Sequence, residues 1–211
     1  MKGRWIAAAG LVVVAAAASP AIAGAQDSAQ VPAHAQADAR FLRDMIGHHA
    51  QALEMTALVP TRAGRDDVRL MAERIEVSQR SEIARMQQWL RVRGLAVPEV
   101  DAHHAHAPAA GEHAGHAAGD AHAGMPGMAT PEEMARLAAA SGAAFDALFL
   151  ELMIRHHEGA LVMVEELFGT PGGGQDSEMY AIASEVDADQ RMEIDRMRAM
   201  QQGPLGGARP R

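Results

Sequence analysis

Apolar side chains recur every three to four residues over four long stretches of the chain, which is the period of an amphipathic helix. Around Met45, for example, Phe41 and Leu53 fall on one side of a helical wheel and would belong to its core-facing stripe. The first stretch is predicted to end at Pro60 and the second at Gly94. The four predicted helices cover about residues 38–59, 66–93, 143–168 and 177–201. Four such helices, joined as two hairpins, predict an all-α four-helix bundle.

A short additional helix is predicted before the third long one. The segment Thr130-Pro131-Glu132-Glu133 is a capping box with proline at the first helical position, so a helix begins there and reaches about Ala140. Ser141-Gly142 is expected to break it before the next long helix begins.

The two hairpins are copies of one another. Residues 41–49 and 149–157 match at a constant offset of 108 in Phe, Leu, Met, Ile and both histidines. Residues 79–86 and 190–197 share Gln-Arg-x-Glu-Ile-x-Arg-Met at an offset of 111. Two ordered matches of this length indicate an internal duplication. The predicted organisation is a signal peptide (1–25), a disordered N-terminus (26–37), a first hairpin (38–97), a His/Gly/Ala-rich linker (98–129), a second hairpin (130–202) and a disordered tail (203–211).

The beginning of the chain is typical of an exported protein. Lys2 and Arg4 precede an apolar run from Ile6 to Ala18, and small residues suited to signal peptidase follow, with cleavage expected near Ala23 or Ala25. The run is shorter than the ~20 residues that a membrane span needs, although an uncleaved anchor is an alternative. The predicted location is the periplasm or the exterior, with membrane contact only through the signal segment.

Composition narrows the function further. With one Tyr, four Phe and many Ala, Leu and Met, the chain favours helix over strand. Without the signal peptide, 17 basic side chains face 27 acidic ones, a formal net charge of −10, which argues against nucleic acid as a partner. There is no cysteine, so helix packing must supply stability, and any soft-metal chemistry must use thioether sulfur.

Each copy of the duplicated motif offers two Met–His pairs. Met45 and His49 lie one turn apart on the core stripe, while His48 and Met55 lie at its edge. In a pseudo-two-fold bundle, Met45 and His49 would face their copies from the second half. Neutral imidazole and thioether together suit Cu(I), or Ag(I) as its analogue, better than Zn(II), Fe(II) or Mg(II). The residues carrying this interpretation and their copies are Met45, His48, His49, Met153, His156 and His157.

The linker is rich in Ala, Gly and His and has almost no large apolar residue, so a mobile segment is expected. His-rich tracts commonly bind metal, and this one could capture ions loosely, the alternative being a low-complexity spacer. Its candidate ligands are His103, His104, His106, His113, His116, His122, Met125 and Met128.

Structural explanations compete with the metal hypothesis. Methionines on a helix are more often core filler than ligands, and Met71, Met134 and Met179 fit that description. A buried neutral histidine usually donates a hydrogen bond to a carboxylate, and Asp38 or Glu82 could accept one here.

The doubled Phe-Leu-x-x-Met-Ile-x-His-His-x-x-Ala-Leu-x-Met, each copy followed by Gln-x-x-Glu-Ile-x-x-Met, resembles the domain-of-unknown-function family 305. The resemblance covers about residues 38–89 and 141–200. It implies a ferritin-like four-helix fold and, by likeness to CopM-type exported copper-binding proteins, a part in copper resistance. The metal ligands that it implies are Met45, His48, His49, Met55, Met86, Met153, His156, His157, Met163 and Met197.

The function predicted is that of a non-enzymatic exported protein that sequesters Cu(I), or passes it on, and so contributes to copper tolerance. One alternative is a di-iron oxidoreductase, although the Glu-x-x-His spacing of such sites is missing. Another is an envelope interaction module whose His-rich loop buffers zinc or nickel. No activated serine or phosphate-binding loop is evident. The sequence leaves open which envelope protein gives or receives copper and whether the bundle forms a homo-oligomer.

Overall fold

The structure is a computed structural model that describes residues 33–100 and 124–203. The predicted signal peptide, the six linker histidines and nearly all of the C-terminal tail lie outside the described residues. Five helices are present in the described ranges: α1 (Ala33–Arg62), α2 (Asp66–Val92), α3 (Pro131–Ala139), α4 (Gly142–Gly169) and α5 (Ser177–Gln201). The predicted all-α class is confirmed.

Local signals explain where several helices begin. At α3 the Thr130 hydroxyl accepts a hydrogen bond from the Glu133 N–H and the Glu133 carboxylate accepts one from the Thr130 N–H, so the predicted capping box is formed. Asp176 caps α5 by accepting from the N–H groups of Glu178 and Met179.

The first helix is longer than predicted at both ends. It begins at Ala33, so the last five residues of the predicted disordered N-terminus are helical, and Ala and Gln in that stretch are good helix formers. Pro60 does not end the helix, which runs on to Arg62. Because Pro60 stands in the last turn, its missing N–H removes only one helical hydrogen bond, and the Ala63 N–H still donates to the Val59 carbonyl at 3.0 Å.

The four long helices form a bundle in which every helix is antiparallel to both of its neighbours. Helix α1 packs against α2 and α4, and α5 packs against α4 and α2. Arg93, just after α2, pairs with Glu178 at the start of α5, while Arg65, just before α2, donates to the Met200 carbonyl near the end of α5.

Two buried aspartates join the hairpins at opposite ends of the bundle. Asp146, early in α4, accepts a hydrogen bond from the Gly64 N–H in the α1–α2 turn at 3.0 Å. Its repeat equivalent, Asp38, early in α1, accepts one from the Gly174 N–H in the α4–α5 turn at 2.7 Å. Each hairpin therefore caps the turn of the other, which fixes their pairing in the bundle.

The apolar core has two parts. The first core cluster combines the N-terminal halves of α1 and α5 with the C-terminal halves of α2 and α4, and includes Trp89 and Leu42. The second core cluster combines the opposite halves and includes Phe145 and Phe149. Between them lies a set of polar side chains, which we call the polar layer. It consists of His48, His49, Gln79, Glu82, His156, His157, Gln190 and Glu193, seven of them buried and Glu82 nearly so.

Both described ends of the predicted linker are packed against the bundle. Val97 and Val100 contact the first core cluster, and the Pro98 carbonyl accepts a hydrogen bond from Gln87. Residues 124–129, which we call the strap, lie on the helices, where Ala129 is buried. The segment 101–128, predicted to be a mobile linker, is therefore packed on the bundle at residues 124–128, where its short side chains find contacts, and the domain organisation predicted from the sequence stays a prediction.

None of the described helices combines the length and the apolar character that crossing a membrane requires.

Candidate metal centre

Two inner histidines occupy equivalent places in the polar layer. His49 on α1 and His157 on α4 are fully buried. The His49 Nε2 atom lies 2.5 Å from Oε2 of Glu82, and the His157 Nε2 atom lies 2.7 Å from Oε2 of Glu193. Since an ionised carboxylate can only accept, Nε2 of each ring carries the proton and donates it. Of the two carboxylates that the sequence offered as partners, Glu82 accepts a hydrogen bond from His49, and Asp38 caps a turn.

This arrangement leaves the other nitrogen of each inner ring available. The Nδ1 atoms of His49 and His157 are buried and have no hydrogen-bond partner. With the proton on Nε2, each Nδ1 carries a lone pair. A histidine whose far nitrogen donates to a carboxylate is the usual form of a metal-ligating histidine, because the carboxylate fixes the ring and raises its basicity. The inner histidines are thus oriented as ligands would be.

The outer histidines, His48 and His156, use their Nε2 atoms differently. Nε2 of His48 donates to the Pro126 carbonyl at 2.9 Å, and Nε2 of His156 donates to the His48 carbonyl at 3.0 Å. The two rings are in contact, with centroids 3.8 Å apart and planes tilted by 36°. Burial, reinforced by the neighbouring histidines, holds the pKa of His156 well below its ordinary value of 6.5. His156 is therefore neutral at physiological pH.

The six methionines of the predicted ligand set divide into two groups of three. Every one of them is buried. The first core cluster holds Met45, Met86 and Met163, and the second core cluster holds Met55, Met153 and Met197. The methionines of one group are the repeat equivalents of those in the other group. Each group contains methionines from both hairpins.

The prediction that Met45 faces Met153 is wrong. Each of these methionines precedes the inner histidine of its helix by one turn. Because α1 and α4 are antiparallel, the two methionines lie on opposite sides of the polar layer. Met45 and Met55, ten residues apart on α1, are separated by about 15 Å along the helix axis. The thioether donors therefore form two groups, one on each side of the inner histidines.

Two further polar side chains of the layer were not predicted as candidate ligands. Gln79 on α2 and Gln190 on α5 are fully buried, and neither the oxygen nor the nitrogen of either amide has a hydrogen-bond partner. Each stands one turn before the carboxylate that holds an inner histidine. The matching Gln-x-x-Glu of the two repeats was the sequence signal that could have pointed to them.

An aspartate on α5 beside the layer contacts Glu82 on α2. Asp189 shares a hydrogen bond with Glu82, and its pKa is raised by burial first and by the charges of Glu82 and Glu193 second. Ser78, its counterpart in the repeat, donates to the other oxygen of Glu82 at 3.5 Å. Glu82 therefore links α1, α2 and α5 across the polar layer.

The strap covers the outer histidines. Besides the Pro126 contact, Ala129 exchanges two hydrogen bonds with the Gln51 amide, at 2.7 and 2.9 Å. Gly127 and Gly159 bring the strap and α4 together so closely that a Cβ at Gly159 would lie 2.0 Å from the Pro126 carbonyl oxygen. Of the linker candidates, Met125 packs against the first core cluster and Met128 is half-buried. The linker histidines lie outside the described residues.

Within residues 33–100 and 124–203, no three His, Asp or Glu side chains are grouped so that they could hold a metal ion. The centre also contains methionine sulfur and glutamine oxygen. The candidate donors of this centre thus include the Nδ1 atoms of His49, His157 and His156, six thioethers and two amides, a chemistry that fits a soft or borderline metal.

Comparisons with known proteins identify relatives of the whole bundle. A family model described as "Domain of unknown function (DUF305)" matches residues 38–201. A DUF305 fragment from Deinococcus radiodurans is 30% identical, the match covering 79% of this chain and 95% of that chain with a TM-score of 0.61. A DUF305 protein from Streptomyces coelicolor, classed as secreted, is 28% identical over 82% of this chain and 98% of that chain, with a TM-score of 0.62. No curated protein matches.

A copper-bound structure is also similar. CopM in its Cu(II)-bound form is 26% identical, the match covering 78% of this chain and 95% of that chain with a TM-score of 0.57. The Cu(I)-bound form is 23% identical and the silver-bound form 24% identical, values at which the likeness shows the fold alone.

Proposed function

This chain belongs to the DUF305 family, whose model matches residues 38–201, and we propose that it is an exported, non-enzymatic protein that binds copper as Cu(I) in its bundle. It sequesters the ion or passes it on, and thereby contributes to copper tolerance. Ag(I), the larger ion of the same charge and softness, would bind at the same donors.

The observation that carries this proposal is the state of the inner histidines. His49 and His157 donate from Nε2 to Glu82 and Glu193, and their Nδ1 atoms are buried without a partner. A buried polar atom without a partner costs about 1–3 kcal/mol, and a bound metal ion would remove that cost.

The methionines supply the remaining donors and select the metal. Three buried thioethers lie in the core cluster on each side of the inner histidines. A dry site of thioether and imidazole favours Cu(I), since it offers neither the carboxylate oxygens that Mg(II) and Ca(II) take nor the thiolates of structural Zn(II) sites. The outer histidines His48 and His156, which the sequence also predicts as ligands, lie beside the inner pair and would add imidazole donors to the centre.

The relatives give independent support. CopM, at 26% identity, has been solved with Cu(II) bound, and the Streptomyces coelicolor relative is classed as secreted. An N-terminal signal segment would deliver this chain to the periplasm or the exterior. A site made of thioethers needs no cysteine, and the chain has none. The linker histidines would capture copper loosely, and a copper-exporting or copper-accepting envelope protein would be the natural partner.

Replacing Met45 and Met153 together by leucine tests the proposal. Met-to-Leu changes conserve volume and cost less than about 1.5 kcal/mol, so the bundle should stay folded. We expect Cu(I) affinity to fall by about 100-fold or more, since altering even the partners of metal ligands costs about 10- to 100-fold. Affinity is measured by anaerobic competition with a chromogenic Cu(I) chelator.

The chain offers a matched control. Met179 and Met71 are also buried, one in each core cluster, but stand outside the repeated motif. Met71→Leu with Met179→Leu should leave Cu(I) affinity unchanged. Equal affinities for the two double variants and the unaltered chain would show that the motif methionines are core filler, and the proposal would be abandoned.

A further inference from the structure

The two hairpins share a fold and a core pattern but differ in charge. Residues 38–97 contain ten arginines and eight acidic side chains, a formal net charge of +2. Residues 130–202 contain five arginines and fourteen acidic side chains, a formal net charge of −9. Because the two copies pack equivalently in the bundle, the fold does not explain this difference. The second hairpin alone is strongly acidic.

An open groove runs along the outer side of the acidic hairpin, between α4 and α5. Its volume is about 710 Å³, and its lining includes Phe168 and Tyr180 together with Glu165 and Asp187. The two aromatic side chains are 41% and 59% exposed, and their ring centroids are 5.5 Å apart. Aromatic side chains are enriched where proteins bind one another. The groove therefore combines an exposed aromatic pair with acidic side chains.

The aromatic pair rests on a fixed part of the bundle. A Cβ at Gly174 would lie 2.7 Å from Cε1 of Phe168, so the ring lies directly against the glycine backbone. Gly174 also donates its N–H to Asp38, which ties this turn to α1. Because the ring is held in place before anything binds, less conformational entropy is lost on binding.

The equivalent groove of the first hairpin, between α1 and α2, has no aromatic pair. At the repeat offsets of 108 and 111, Phe168 corresponds to Pro60 and Tyr180 corresponds to Arg69. Arg69 is directed to the end of α1, where it donates to the Ala63 carbonyl. The first hairpin thus uses this position to hold its own turn, whereas the second hairpin leaves an aromatic ring exposed there.

The carboxylates beside the aromatic pair are also found in one copy only. Glu165 and Glu166, both exposed on α4, correspond to Ala57 and Leu58 on α1. The aromatic rings and the neighbouring carboxylates therefore occur together, and only in the second hairpin. The first hairpin serves as an internal comparison with the same fold and without these features.

We propose that the groove between α4 and α5 is a docking surface for a basic amphipathic segment of another protein. An apolar side chain of that segment would lie on Phe168 and Tyr180, while its lysines or arginines would approach Glu165, Glu166 and Asp187. The acidic excess of the whole hairpin would increase the rate at which a basic partner meets this surface.

Charge disfavours the other occupants of such a groove. A hairpin with a net charge of −9 would repel nucleic acid and anionic lipid. A second copy bound through the same face would bring two acidic hairpins together. The inference goes beyond the proposed function, because no residue that lines the groove is a candidate copper ligand.

Synthetic peptides test the inference on the metal-free, full-length mature chain. The basic probe is an amphipathic helical peptide of lysine and leucine. One matched peptide has glutamate in place of lysine, and the other has serine in place of leucine. Fluorescence anisotropy of the labelled peptides gives their dissociation constants at low and at physiological salt. We expect both matched peptides to bind at least about tenfold more weakly than the basic probe.

Replacing the aromatic pair tests the groove itself. Phe168→Ser with Tyr180→Ser should weaken binding of the basic probe at least about tenfold, since aromatic anchors carry much of the energy of an interface. The matched control is Leu70→Ser with Val77→Ser, which replaces exposed apolar side chains on α2. This control should bind the probe as the unaltered chain does.

A second variant tests the charges and leaves the aromatic pair intact. Glu165→Gln with Glu166→Gln should weaken binding about three- to tenfold at low salt, and by less at physiological salt because the charges are screened. Circular dichroism checks that each variant is folded. If the serine variant does not fold, the glutamine variant decides the test.

The inference would be overturned if the basic probe did not bind at low salt, or if the glutamate peptide bound equally well. It would also be overturned if binding were unchanged in the folded serine variant or the glutamine variant. Sedimentation of the chain alone examines self-association. A dimer that the aromatic replacements dissociate would show that a second copy covers the groove, and the inference would then be wrong.

Discussion

At the scale of single residues, the chemistry of the centre depends on which nitrogen of each inner histidine carries the proton. The carboxylates of Glu82 and Glu193 accept from Nε2, so Nδ1 of His49 and of His157 is an unprotonated donor atom. The carboxylate partners thus set both the orientation and the basicity of the rings. Without them, the tautomer could reverse and the lone pair would point away from the bundle interior.

Replacing Glu193 by glutamine tests this role. Glutamine keeps the shape of the side chain and can still accept a hydrogen bond, but it removes the charge that raises the basicity of His157. We expect Cu(I) affinity to fall by about 10- to 100-fold, as measured by chelator competition. Glu185→Gln is the control, because Glu185 is an exposed carboxylate on the same helix that pairs with Arg85. Equal Cu(I) affinities for the two variants would contradict the role given to Glu193.

A second residue-scale prediction concerns acid stability. The hydrogen bond from Arg155, followed by that from the Thr130 N–H, lowers the pKa of Glu133 from 4.5 to about 2. The pKa of Glu133 is lower in the folded chain than in the unfolded one. The ion pair with Arg155 therefore stabilises the folded chain fully above pH 4.5, and this stabilisation is lost as the pH falls towards about 2. Glu133→Gln should lower the free energy of unfolding at pH 7 by up to about 1 kcal/mol, since Arg155 is partly exposed and solvent screens the pair.

Urea unfolding at a series of pH values from 7 to 2.5 measures this effect. The difference between the unaltered chain and the Glu133→Gln variant should shrink steadily below pH 4.5. Glu166→Gln, at an exposed position on α4, provides the control. A difference that stays constant over the whole pH range would mean that the ion pair does not account for the stability change.

At the scale of elements, the helices follow from the sequence because their signals are local. Hydrophobic period, the capping box at Thr130 and the stop at Gly94 depend on neighbours within a few residues, and all of them are found in the structure. The end of α1 was misplaced because proline is compatible with the last turn of a helix. The strap was missed because its packing depends on Gly159, more than thirty residues further along the chain.

Replacing Gly159 by alanine tests the packing of the strap. The new Cβ would lie 2.0 Å from the Pro126 carbonyl oxygen and 2.8 Å from the Gly127 Cα, both backbone atoms that cannot turn aside. We expect the strap to shift, the hydrogen bond from His48 to Pro126 to be lost, and the free energy of unfolding to fall by about 1–3 kcal/mol. Chemical denaturation gives the free energy, and proteolysis near residues 124–129 reports the release of the strap.

Gly169→Ala is the matched change on the same helix. No atom lies within 4 Å of a Cβ at Gly169, so stability should be unchanged or raised by less than about 1 kcal/mol. If Gly159→Ala proved as harmless as Gly169→Ala, the contact between strap and helix would not contribute to stability.

At the scale of the whole molecule, duplication and antiparallel packing together determine the centre. The sequence supplied the repeat, the ligand types and the pairing of hairpins, but not the direction in which each motif points. Because α1 and α4 run antiparallel, Met45 lies in the first core cluster and its copy Met153 in the second, so Met45 cannot face Met153. The crossed caps from Asp38 and Asp146 depend likewise on contacts between distant parts of the chain.

This arrangement makes the centre a property of the complete bundle. Each group of three methionines takes members from both hairpins, and the polar layer takes side chains from all four long helices. Copper binding in the bundle should therefore be independent of the linker histidines, even though these are the more conspicuous metal-binding feature of the sequence.

Whether the bundle itself binds Cu(I) is decided by an anaerobic competition titration with Cu(I), beside one with Zn(II). It is made on the mature chain and on the same chain with all six linker histidines replaced by glutamine. We expect both proteins to bind Cu(I) with the same high affinity. The chain without linker histidines should bind Zn(II) far more weakly than it binds Cu(I). Cu(I) binding that disappears with the linker histidines, or that is no tighter than Zn(II) binding, would contradict this expectation.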